Sequence, residues 1–486
     1  AIALLGARLL WRAGRVTAIA AAGIWSLQPG PIFVGPYWGQ VDSVGTLPLL
    51  GSLLAAGARR WWLAGSLGAI AALVKPQFGI GLFVVLVAAA IEFVRDARWR
   101  PGAAAIGAAT VTAYLVAAPF WGLDPIRVAS ELALLVRSAA ETYPYTSLYA
   151  FNGWSVLYDF WTPDGGLVAW GAVLLVAGLV ASCVPLWSRR DTATLLACAT
   201  LAALAFYFLP TRAHERYLLP VFALALPLAA ARSRVLVSYA VLATAFALSC
   251  YFAFTRYQQY VDLRVPELIE ATLFGRIGQV CIALVMIGAA AYLAWRLVRN
   301  DARLESEGVW EGLLRGPRVT RWVLPAGLGP GRLPTRRDVA VALLVALAAL
   351  VTRGYRLDWP REMYFDEVYH ARTAFELLAQ REPYEWTHPQ LAKELMALGI
   401  LVFGDDRVVG QEAGLGPATA FTVTNDGARI SAAADGTVVV RDRSGRGEPI
   451  ARTAGAPRAI AAREGRLFVA TDSEVCELAL PAPPTG

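Results

Sequence analysis

Residues 167–187 read LVAWGAVLLVAGLVASCVPLW and residues 276–295 read RIGQVCIALVMIGAAAYLAW. Each is close to the roughly 20 residues that a helix needs to cross a bilayer. These two runs set the class: an α-helical polytopic membrane protein. Over all 486 residues, 57% are hydrophobic and 17% charged, and the mean hydropathy is +0.49. Soluble domains carry about 25% charge, so soluble and disordered readings are excluded. Further apolar runs at 16–28, 44–58, 61–74, 78–94, 103–120, 192–210, 217–231, 235–254 and 338–352 bring the expectation to about eleven spans.

The net charge of +7 does not point to nucleic acid. The arginines form no stripe on one element but sit in short loops between apolar runs, as the positive-inside rule produces. With Arg12 and Arg15 taken as cytoplasmic, alternation places Arg59/Arg60, Arg95/Arg98/Arg100, Arg189/Arg190, Arg232/Arg234 and the linker 296–337 on the same side. The opposite, extracytoplasmic face receives 29–43, Lys75-Pro-Gln77, the loop 121–166, Thr211–Tyr217, 255–274 and everything after about 353. The five cysteines include no CxxC pair, and four lie in or beside apolar runs, so neither a disulfide framework nor a zinc site is indicated. Ala1 opens within an apolar run with no charged segment ahead of it, which reads as a piece of a longer chain rather than a signal peptide.

Composition divides the chain into a multi-span unit (1–295), a Gly/Pro/Arg-rich cytoplasmic linker (296–337), one span with its following loop (338–409), and a β-rich segment (410–486). In the last, short alternating strands such as Thr437-Val-Val-Val are broken by Asn425-Asp-Gly and Asp435-Gly, which signal hairpins. The expectation is antiparallel, propeller-blade-like structure outside the membrane.

Two sets of polar residues stand out. Tyr364-Phe-Asp-Glu-Val-Tyr-His370 precedes Thr387-His-Pro-Gln-Leu-Ala-Lys393. On a helix, Asp366 and His370 share one face. That suits a carboxylate base oriented by an imidazole, or a divalent-cation site completed by Glu367. It equally suits an interfacial helix with an acidic start. The second set is Tyr37-Trp-Gly-Gln-Val-Asp42, Lys75-Pro-Gln77, Ala150-Phe-Asn-Gly-Trp154 and Thr211-Arg-Ala-His-Glu-Arg-Tyr217. Gln40, Asp42, Lys75, Arg212, His214, Glu215 and Arg216 are its candidate substrate and phosphate contacts, because Arg offers bidentate contacts to phosphate. For the arginines the alternative is snorkelling at span ends; for Asp42 it is a helix cap.

The segment Arg361–Gly404, with its Asp-Glu pair, His-Pro and following Lys, resembles the first extracytoplasmic loop of the protein O-mannosyltransferase family, within the C-type superfamily of lipid-carrier-dependent glycosyltransferases. Residues 16–295, through the four motifs of the second set in order, resemble bacterial mannosyltransferase-like members of that superfamily. The resemblance implies Asp366 and Glu367 at the catalytic centre and matches His388 and Lys393 to the family's His-Pro and Lys; with His370, which the helix-face reading adds, these are the candidate substrate contacts, and the acidic pair on its own chemistry could hold a Mg or Mn ion as an optional cofactor. The implied function is an integral membrane glycosyltransferase moving a hexose, mannose by resemblance, from a polyprenyl-phosphate carrier to a protein or glycan acceptor outside the cytoplasm. The chemistry agrees: transfer needs a base for the acceptor hydroxyl and positive charge for the departing phosphate. The competing class is a multi-pass transporter or lipid flippase with an extracytoplasmic binding module, for which broken helices and inverted repeats would speak.

Overall fold

The computed structural model describes residues 15–230, 233–256, 265–299, 336–355, 366–378, 391–403, 411–412, 416–423, 429–433, 435–441, 447–463, 466–471 and 473–479. The chain divides into two compact units, Ala1–Pro360 with Tyr364–Leu395, and Arg361–Met363 with Met396–Gly486.

The first unit is helical. It runs through α1 (Arg15–Leu27), α2 (Pro29–Ile32) with a π turn at Phe33–Tyr37, α3 (Asp42–Gly57), α4 (Trp61–Val74), α5 (Ile80–Asp96) and α6 (Arg100–Trp121). There follow α7 (Pro125–Glu141), α8 (Gly153–Leu157), α9 (Leu167–Ser182), α10 (Thr192–Phe208), α11 (Leu219–Ala230), α12 (Ser233–Arg256), α13 (Glu267–Ala271) and α14 (Arg276–Val298). Helices α15 (Arg336–Gly354) and α16 (Asp366–Leu378) belong to the same unit. Small residues let the helices close: a Cβ on Gly65 of α4 would lie 2.1 Å from the Ala105 carbonyl oxygen of α6.

Among the described residues each of the eleven apolar runs is largely helical, but fewer than eleven of them qualify as spans by length and composition. Among the described residues five helices are long and apolar enough to cross a membrane: Pro76–Asp96, Arg100–Trp121, Leu167–Trp187, Arg234–Arg256 and Arg276–Val298. A sixth is counted if Ala18–Leu27 and Pro29–Tyr37, bent by 48°, form one span. The reason is length and surroundings. Helices α4 and α11 rise only about 21 and 18 Å, against a core of about 30 Å. All twelve residues of α11 are buried in protein, so their apolarity answers to neighbouring helices. On α9 the reverse holds: only Gly171 and Ser182 are buried, and Trp170, Val173, Val176 and Val180 are exposed, a surface suited to lipid.

Three of the arginine loops come together. At one end the loops carrying Arg59, Arg95 and Arg190 are tied together: Arg59 pairs with Glu92, Arg190 with Asp96 at 3.1 Å, and Arg95 donates to the Trp187 carbonyl. At the other end lie the start of α3, the end of α4, the end of α10 and the start of α11, where the second motif set sits.

The second unit carries strands β3 (Gln411–Glu412), β4 (Gly416–Val423), β5 (Arg429–Ala433), β6 (Thr437–Arg441) and β7 (Gly447–Arg452) as one antiparallel sheet in sequence order. A second sheet has the order β10 (Val475–Ala479), β9 (Arg466–Ala470), β8 (Ala459–Arg463). Ile430, Ala432, Val438, Leu467 and Val469 form the core between them. The antiparallel reading and the turn at Asp435-Gly436 hold. The propeller does not: among the described residues neither sheet closes into one. The expected turn at 425–427 lies outside the described residues.

Candidate functional site

The site begins at a helix break. Gln28-Pro29-Gly30-Pro31 cannot continue α1, because Pro lacks the N–H and holds the preceding residue extended; Gln28 has ψ 129°. After the π turn, Gly39 at φ +70° lets the chain reverse into α3. Asp42 is the first residue of α3 but not its cap, a position that falls to Val41. Its carboxylate instead meets Lys75, with Nζ 3.1 Å from Oδ2. Lys75 is placed for this by Pro76, which holds it extended at φ −156°, ψ 141° and so ends α4. The same ammonium donates to Gln40 Oε1 at 3.1 Å. Asp42 is 0% and Lys75 3% exposed. Two polar atoms here, Asp42 Oδ1 and Gln77 Nε2, are buried and make no hydrogen bond among the described residues. Phe78 packs over Gly45, where a Cβ would come within 2.1 Å of the ring.

The motif at 211–217 closes over this pair. A short parallel ladder joins β1 (Ser147–Leu148) to β2 (Ala213–His214). Arg212, at φ +65°, binds Asp164 through Nε at 2.7 Å and Nη2 at 3.3 Å, and donates through Nη1 to the Ala140 carbonyl. Glu215 and Arg216 are both buried and pair at 2.7 Å. His214 Nδ1 stands 3.8 Å from the other Glu215 oxygen. The Arg216 guanidinium lies 5.8 Å above the Trp38 ring, which connects the last motif to the first. Tyr217 has Arg216, Asp42, Glu215 and Tyr143 within electrostatic reach. Thus Gln40, Asp42, Lys75, Glu215 and Arg216, drawn from three motifs, gather at one end of the bundle.

The third motif holds the scaffold. Asn152 caps α8 in a reciprocal box with Ser155 and donates to the Tyr207 carbonyl at 3.2 Å, while Trp154 Nε1 donates to the Leu209 carbonyl at 3.0 Å. Around it Tyr145, Tyr149, Phe160 and Trp161 stack edge to face. Burial raises the Tyr149 phenol above its ordinary value.

Lys75, Arg212 and Arg216, read from sequence as phosphate contacts, are each matched to a carboxylate. Arg212 in particular is a staple between 142–166 and 211–217. Asp164, its partner, carries no motif and was missed; so was Trp38 as the surface under Arg216. The other sequence candidates are placed in part. Asp366 and Glu367 open α16, so Asp366 and His370 do share a helix face, but the two carboxylates and all of His388 lie outside the described residues. His370 and Lys393 are buried at 2% and 0% exposure. Among the described residues no three His, Cys, Asp or Glu side chains form a metal-binding group.

No known protein family, curated protein or solved structure matches the chain.

Proposed function

We propose that the protein is a membrane glycosyltransferase that moves a hexose, mannose in the first instance, from a polyprenyl-phosphate carrier to a protein or glycan acceptor on the extracytoplasmic side. The observation that carries the reading is the gathering of buried carboxylates and cations, Asp42 with Lys75 and Glu215 with Arg216, at one end of an apolar helix bundle. Glycosyl transfer from a phosphate carrier creates negative charge on the leaving group while a hydroxyl loses its proton. A site of paired acids and cations beside lipid serves both needs, and low local polarity strengthens each interaction. Asp366 and Glu367 orient the acceptor hydroxyl in this reading. Adjacent carboxylates are also the oxygen donors that Mg or Mn takes, and such a cation would polarise the acceptor.

The test is direct. The purified full chain in lipid nanodiscs is given radiolabelled polyprenyl-phosphate mannose and a peptide or glycan acceptor, with and without chelator. Transfer that depends on Glu215 and Arg216 supports the reading; no transfer to any acceptor class removes it.

A second reading, a multi-pass transporter or flippase, is favoured by one observation: the helix broken by 48° between Ala18–Leu27 and Pro29–Tyr37, a feature of carrier binding sites. Movement of the lipid-linked sugar across vesicles without loss of the sugar from its carrier would select it.

A further inference from the structure

We infer that Asp42 accepts the acceptor's proton and that Lys75 passes its charge to the departing phosphate, the two acting as one catalytic unit; this rests on the glycosyltransferase reading. The asymmetry of the Asp42 carboxylate carries the argument. Oδ2 is engaged by Lys75 at 3.1 Å, while Oδ1, equally buried, has no hydrogen-bond partner among the described residues. A buried carboxylate oxygen left without a donor is costly, and it is the atom a substrate hydroxyl would satisfy. The carboxylate is fully buried, at the start of a helix whose next two residues are not. Ser43 beside it is half-buried and Val44, at 44% exposure, is on the outside.

The charges balance through the step. The acceptor O–H gives its proton to Asp42 Oδ1, and its oxygen pair forms the new bond to the sugar's anomeric carbon. The bond from that carbon to the carrier's phosphate oxygen breaks, with its electron pair leaving on the phosphate. Asp42 passes from −1 to neutral, and the phosphate gains one negative charge on going from diester to monoester. The total is unchanged, so no net charge is created in a medium where an unpaired one is expensive. Lys75 is the group that can follow the charge. Its pairing with Asp42 weakens, as that carboxylate is neutralised, at the moment a second anion appears. Gln40 Oε1, also at 3.1 Å from Nζ, is a neutral anchor that holds the ammonium during the exchange.

The experiment compares Asp42→Asn, Lys75→Met, Lys75→Arg and the double variant Asp42→Asn/Lys75→Met in the nanodisc transfer assay, with kcat and donor KM measured separately. The expected result is a kcat lower by about 10²- to 10⁴-fold for Asp42→Asn, with donor KM within about threefold. The double variant should be no worse than the poorer single variant, as for residues acting as a unit. Lys75→Arg should recover part of what Lys75→Met loses. The double variant removes both charges together, so it keeps a neutral, packable pair and separates chemistry from folding. A folded double variant that transfers at near wild-type kcat would overturn the inference and leave the pair a structural one. Unchanged kcat in Asp42→Asn would do the same while leaving the glycosyltransferase reading intact, whereas an inert wild type would remove both.

Discussion

Arg212 grips Asp164 at two points, Nε to Oδ2 at 2.7 Å and Nη2 to Oδ1 at 3.3 Å, across 48 residues of sequence. Thr211 adds its hydroxyl to the same Oδ2 at 3.1 Å. Asp164 is 2% exposed at its side chain, so removing the guanidinium strands a buried carboxylate. Arg212→Ala should destabilise the protein by about 3 kcal/mol, the range for breaking a buried pair. Arg212→Lys, which loses the planar two-point contact, should fall between. Thermal unfolding in detergent, followed by tryptophan fluorescence, reads this; an unchanged midpoint in Arg212→Ala would show the staple to be idle.

The contact of Gly45 with Phe78 supplies a second test, close to the proposed chemistry. A Cβ on Gly45 would lie 2.1 Å from the ring, a clash that must move Phe78 and with it the turn that starts at Lys75. Gly45→Ala should cost about 1–3 kcal/mol as overpacking. Adding Phe78→Leu should recover part of the loss. If Gly45→Ala alone is neutral, α3 and the Pro76–Gly79 turn are looser than their packing indicates.

The meeting of the Arg59, Arg95 and Arg190 loops and the gathering of three of the motifs were legible in the sequence, because the charge pattern sorts basic loops from motif-bearing ones. The span count was not. Hydropathy scores α11 and α9 alike, yet the first is enclosed by protein and the second is bare. Nor could spacing show what the cations do. Arg212 looked free for phosphate because its partner lies in a Trp-Thr-Pro-Asp stretch with no signature, brought near only by the Ser147–Ala213 pairing. Asp42 read equally well as a substrate contact or a helix cap, and only the extended conformation imposed on Lys75 reveals the ion pair.

Orientation can be read from labelling. Ser130 on α7 is exposed, and the last turn of α7 is tied to the motif end through the Ala140 carbonyl; Ser188 is exposed among the basic loops. Ser147, in the same loop region, would be a poor probe because it is fully buried. In a background without native cysteines, Ser130→Cys should react with an impermeant maleimide in intact cells, and Ser188→Cys only after permeabilisation. The opposite pattern would invert the topology and deprive the enzyme reading of its carrier.

In the β unit, the Asp435 carboxyl is held below its ordinary value by the Thr437 N–H and hydroxyl, at 3.0 and 2.9 Å, with Arg452 adding attraction. A depressed carboxyl stabilises the turn above its unfolded value, near 3.9, and the contribution is lost as pH falls through the lower folded value. Amide exchange at Thr437, taken as the ratio of wild type to Asp435→Asn, should show protection at pH 6 that fades as the pH falls below about 4. A ratio flat across that range would mean that the ionised carboxylate does not hold the turn.

Asp42 and Asp366 differ in the kinetic step that each would serve. If Asp42 takes the proton, Asp366 at the start of α16 is left the task of presenting the acceptor, since its helix places His370 on the same face. The two roles have different kinetic signatures. Loss of the proton acceptor removes transition-state stabilisation and appears in kcat, whereas loss of an orienting contact weakens acceptor binding as well and appears in acceptor KM. Asp366→Asn should therefore raise acceptor KM about tenfold or more with donor KM unchanged, an effect of the size of one charge-assisted contact. Glu367→Gln should do the same more weakly, and if a divalent cation takes part, added Mg or Mn should move both values. Steady-state transfer at varied acceptor, with membrane insertion checked for each variant, distinguishes the cases. Kinetics of Asp366→Asn identical to wild type would return α16 to an interfacial helix whose acidic start serves only its own dipole.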